Sequence, residues 1–115
     1  MSFDDIEKKR IEKALAGFLD WKRPPVHIRP QLDFGYRLSG QSIELTEIRP
    51  QWDDPSTIHE RAFAKATYIK AQRVWKISWQ RADLKWHSYQ PVPSVPSVEE
   101  FLAVVDADEC ACFFG

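Results

Sequence analysis

The residue order predicts an α+β domain: an N-terminal helix, an antiparallel β-meander of four to five strands, and a short C-terminal helix packed on the same sheet face. Three observations carry this. Apolar residues recur at helical spacing from Ser2 to Trp21, two-residue alternation takes over from Leu32, and a capping signature follows the prolines after residue 90. At 115 residues, 43% apolar and 29% charged, the chain has ordinary globular composition and room for one core, hence a single domain over 1–115.

The first helix is expected to bury Phe3, Ile6, Ile11, Ala14, Leu15 and Phe18. Ser2 with Asp5 forms a short version of a capping box, and Pro24-Pro25 stops the helix. Leu32, Phe34, Tyr36 and Leu38 then alternate with polar residues, and Gly40-Gln41 suits a two-residue turn with glycine at positive φ. That turn sets Leu38 opposite Ile43, Tyr36 opposite Leu45 and Arg37 opposite Glu44. Asp54-Pro55 reads as the cap and first position of a helical turn.

Ala62–Ile69 and Val74–Gln80 form a second hairpin about Ala71-Gln72. Its register sets Tyr68 against Trp75, Ala66 against Ile77 and Ala64 against Trp79, small residues facing large ones inside. Lys65 and Lys76 then look outward. A further strand over Lys85–Tyr89 alternates so that Lys85, His87 and Tyr89 share an exposed face away from Trp86. Pro91, Pro93 and Pro96 predict an unpaired extended connector, and Ser97-Val-Glu-Glu100 caps a helix that turns Val98, Phe101, Leu102 and Val105 inward.

Three phrases, Glu47-Ile-Arg-Pro50 running into Trp52-Asp-Asp-Pro55, Arg81 to Tyr89, and the closing Cys112-Phe-Phe-Gly115, stand beside Arg23-Pro-Pro25. With them the chain resembles, over nearly its whole length, a family of small bacterial proteins known only as a domain of unknown function. The resemblance implies a free-standing bacterial protein and brings no activity, ligand or catalytic residue with it.

The net charge of −1 hides a strong pattern. Residues 61–87 hold seven basic groups against the single acid Asp83, whereas residues 88–115 hold five acids and no base. A cationic sheet rich in aromatics suits polyanions. The candidate contacts are Lys65, Lys70, Arg73, Lys76, Arg81, Lys85 and His87. The bland alternative is a solvated face whose strand lysines discourage edge pairing.

Glu47 falls by register on the apolar face opposite Phe34, where a lone carboxylate is costly. A bulge near Thr46 would relieve it, as would an arginine partner or a metal. Asp33, Glu47 and Arg49 loosely follow the acid, acid-x-base pattern of metal-dependent nucleases, with Arg49 where a lysine is wanted. Cys110, Cys112, His27, His59 and His87 lack the spacing of a zinc site, so no metal or other cofactor is expected. Such close cysteines suit a reduced compartment.

No apolar run approaches the ~18 residues of a membrane span, and Met1–Arg10 is too polar for a signal peptide. The expected protein is therefore a cytoplasmic, non-enzymatic binding module, with nucleic acid or another polyanion as ligand and no membrane contact. The alternatives are a metal-dependent phosphodiesterase using Asp33 and Glu47, and a protein-interaction or homodimerisation domain using Trp52 and the Phe113-Phe114 tail.

Overall fold

In the computed structural model, which describes residues 3–81, 83–108 and 113, helix α1 spans Asp5–Lys22. Asp4 caps it: its carboxylate accepts the Glu7 N–H at 2.8 Å, and the Glu7 carboxylate accepts the Asp4 N–H at 3.4 Å. The expected cap Ser2 lies outside the described residues. Ile11, Leu15 and Phe18 are buried as predicted, but Ile6 is 79% exposed. At ~100° per residue it sits about 180° around the helix from Leu15 and cannot share its face.

Six strands follow: β1 (Asp33–Ser39), β2 (Ser42–Gln51), β3 (Asp54–Ile69), β4 (Val74–Gln80), β5 (Trp86–Ser88) and β6 (Ser94–Val95). Helix α2 spans Val98–Ala107. The sheet is an antiparallel meander in the order β1-β2-β3-β4-β5, with β6 also pairing β4. Gly40 at φ 59° makes the first turn, and every cross-strand pair predicted for both hairpins is present, from Leu38 with Ile43 to Ala64 with Trp79.

Three elements differ from expectation. Gln51 pairs with Asp54, so Trp52-Asp53 form a hairpin turn and Asp54-Pro55 open β3 rather than a helix. Asp54 does act as a turn former: its carboxylate accepts the Ser56 hydroxyl at 2.6 Å and the Thr57 hydroxyl at 2.7 Å. Second, the proline connector is paired. Ser94 lies opposite Lys76 and Val95 opposite Trp75, while the Pro93 carbonyl accepts the Ile77 N–H. The prolines lack donors but keep their carbonyls, which is all this edge asks of Pro93.

Third, the last strand has the opposite phase. His87 pairs with Trp79 and Gln80 with Trp86, so Trp86 faces the open side and Tyr89 is buried.

Both helices cover one face. Ile11, Leu15, Val98, Phe101 and Val105 form one apolar cluster with Ile43, Leu45, Ala64, Ala66, Trp75 and Ile77. Phe3 caps it against Trp75, ring centroids 5.6 Å apart. Phe113 packs on Tyr89 at 4.8 Å, and Asp108 accepts its N–H. Phe113 thus docks on its own chain. Phe113 is no partner-binding anchor, and Phe114, Cys110 and Cys112 lie outside the described residues. Phe101 is fully buried between the helices and sheet; Phe101→Ala should cost about 3–5 kcal/mol, measured by chemical denaturation.

Candidate functional site

The uncovered sheet face is a grid of rows set by the strand pairing. One row runs Arg37, Glu44, Lys65, Ser78, Ser88 across β1 to β5. The next runs Ser39, Ser42, Thr67, Lys76, Ser94. Short hydroxyl side chains line these two rows around the lysines, with Glu44 opposite Lys65 and the Ile69–Val74 pair beyond Lys76 on the same face. Ser42 and Thr67 share a hydrogen bond of 3.0 Å, and Arg37 pairs Glu44 at 3.2 Å. That ion pair answers the main acid of the Lys65 row. Half-buried Trp86 lies beside it, with the Lys65 ammonium 5.5 Å from its ring centre.

The seven predicted contact residues do not form one patch. Lys65 and Lys76 lie in the middle of the open face, about 8 Å apart along the Cα grid. Lys70 and Arg73 lie in the turn joining β3 to β4, with Arg73 at φ 54°. Arg81 and Lys85 lie past the other end of β4, about 25 Å away. Arg81 covers the Trp79 ring at 5.6 Å and so belongs to the helix side. His87 also lies by register with Trp79, its Nε2 3.0 Å from the Asp83 carboxylate. Asp83 is held below its ordinary pKa, first by the Lys85 N–H and then by His87. That loop is closed on itself.

The phosphodiesterase arrangement is not assembled. Asp33 pairs with Ile48 and Glu47 with Phe34, so alternation places the two carboxylates on opposite faces. Each is taken by an arginine: Arg23 forms a two-pronged bond to Asp33 at 2.8 and 2.6 Å, and Arg49 pairs with Glu47. Glu47 is thus tolerated by an ion pair, one of the remedies its register called for. The bulge exists too, but on the neighbouring strand: Leu45 pairs with Ala64 and Thr46 with Ala62, leaving Phe63 as the extra residue. Both Phe63 and Ala64 reach the core, Phe63 edge-on to Phe34 at 6.0 Å. Among the described residues no three His, Cys, Asp or Glu side chains converge as a metal site requires.

Beyond the Asp33–Ile48 pair, β2 and β3 continue as a two-stranded arm that neither β1 nor β4 accompanies in register. Its tip carries Trp52, 92% exposed. The neighbouring acids are engaged locally, Asp53 by Gln51 at 2.6 Å and Asp54 by Ser56 and Thr57. The sequence reading missed both this arm and the outward Trp86. Gln51-Trp-Asp-Asp54 lacks a glycine turn signal, and the phase of β5 depends on a loop whose length is not matched to any two-residue turn.

A helix-covered meander with one bare, hydroxyl-rich face defines a small α+β domain. The chain belongs to the family described as a domain of unknown function, DUF3024, whose model matches residues 3–115. No curated protein and no solved structure matches it. Among the described residues no helix is long and apolar enough to cross a membrane.

Two measurements check this geometry. Trp52 buries almost nothing, so Trp52→Ser should change unfolding free energy by less than about 0.5 kcal/mol. Arg23 holds the Asp33 carboxyl below its ordinary value, with help from the Phe34 N–H. A carboxylate so held stabilises the fold above about pH 4, and that stability is lost as pH falls through the lowered value. Asp33→Asn should therefore lower stability at pH 7 and flatten its decline on the acid side, followed by urea denaturation from neutral to low pH.

Proposed function

We propose that the chain is a non-enzymatic, cytoplasmic binding module that holds a polyanion, nucleic acid foremost, on its uncovered sheet face. The observation behind this is the grid itself: Lys65 and Lys76 stand among serine and threonine hydroxyls, with no bulky residue between them. Hydroxyls and lysines are donors to phosphate oxygens. Trp86 beside Lys65 offers a ring on which a base can stack, which favours single strands. Lys70 and Arg73 extend the positive surface at one end. Arg81, Lys85 and His87 are left out of the contact, because two of them lie on the helix side.

The second reading is a protein-binding arm, favoured by the bare indole of Trp52. It predicts a partner captured by the wild-type chain and not by Trp52→Ala. A partner retained equally by both chains would sink it.

For the leading reading, fluorescence anisotropy with labelled single-stranded DNA and RNA should show affinity falling steeply between about 50 and 200 mM salt. The double change Lys65→Ala with Lys76→Ala should reduce the log–log salt slope by about two, one per lost phosphate contact. Arg81→Ala should leave it unaltered. Absence of binding at low salt, or binding indifferent to salt, overturns the proposal.

A further inference from the structure

The helices have an outer side as well as a buried one, and that outer side is unusual. Ile6, Arg10, Gly17 and Trp21 fall at i, i+4, i+11 and i+15, one continuous stripe along α1. Its two large apolar residues are bare, Ile6 at 79% and Trp21 at 76% exposure. Beside the stripe, Phe18 and Trp21 line a shallow, mostly apolar groove with Leu102 and Ala103 of α2. Gly17 has open space where a side chain would stand.

Charge differs across this groove. On the α1 side Arg10 and Lys13 are exposed together with the acids Glu7 and Asp20, whereas α2 shows the acids Glu99, Glu100 and Asp106 and no base. The helices also run in the same direction. Glu7 and Arg10 share a cleft with Ser97 and Glu99 at one end, and Lys22 bonds Asp106 at 3.1 Å at the other.

We propose that this helical layer is the self-interface of a two-fold dimer in which α1 of one copy lies over α2 of the other. A two-fold axis along the groove keeps every residue at its own height while exchanging the helices. Arg10 of each copy then stands over Glu99 of the second copy, and each Trp21 enters the groove beside the second copy's Ala103. Turning the axis across the helices instead would set the acidic ridge of α2 against itself, a like-charge contact. A foreign partner would need both signs in adjacent ridges. A second copy supplies them by symmetry.

The face is small. Helices of 18 and 10 residues are about 27 and 15 Å long, near the lower end of stable interface size, so the dimer should dissociate on dilution. In it the two bare sheet faces point outward, although the dimer does not depend on what they bind.

Sedimentation velocity on the full chain tests this. The mass should rise with concentration toward twice the 13.4 kDa of one chain. Arg10→Glu and Glu99→Arg should each weaken association by at least about tenfold, and the two combined in one chain should restore it. Trp21→Ala should weaken it while leaving unchanged the thermal midpoint of the chain diluted to monomer. Three results would overturn the proposal: a monomer at every concentration, a dimer indifferent to these changes, or a charge swap that fails to restore what the single changes lose.

Discussion

The register of β3 between β2 and β4 is the constraint on which the remaining structure hangs. Ala64 and Ala66 are fully buried there, flanked by Leu45 and Ile43 on one side and by Trp79 and Ile77 on the other. A strand slipped by one residue would send Lys65 into the core and expose the alanines, since side-chain period in a sheet is two. Small residues in the central strand also leave room for the helices. Leu15, Phe101 and Val105 are fully buried with them in one apolar cluster.

The same strand changes character at Phe63. The extra residue there brings two successive side chains to the covered face, and beyond it β3 continues with β2 alone. A bulge of this kind bends the strand and strengthens its twist. Thr46, opposite it, is completely buried, and its hydroxyl is satisfied by the Glu60 carboxylate at 3.0 Å. The domain is consequently long in one direction, 46 Å against 31 and 25 Å. Its most exposed indole is held at a distance from the core, against which Trp75 and Trp79 pack.

Charge is sorted by the same geometry. Lys65 and Lys76 share the bare face because they fall at odd and even positions of antiparallel neighbours, while Arg81 and His87 fall on the other side. The sequence shows one basic segment over residues 61–87; the fold distributes it over a face and two ends of a strand. Among the described residues the face sets the two lysines beside a lining of hydroxyls. Glu47 and Asp33 illustrate the converse. Near in the sheet, they are kept apart by alternation and each answered by an arginine.

Local chemistry was enough to read both hairpins that begin from clear turns, the inward faces of Trp75 and Ile77, and the buried side of α2. Glycine at positive φ, alternation and capping act over a few residues, so they are visible in the sequence itself. Pairing beyond the immediate neighbour was not. The phase of Trp86, the recruitment of Ser94–Val95 to β4 and the arm carrying Trp52 were settled by which backbone edge was left to be covered. Those outcomes depend on contacts between segments distant in the chain, where the free energy of burial is shared among many residues and no short pattern records it.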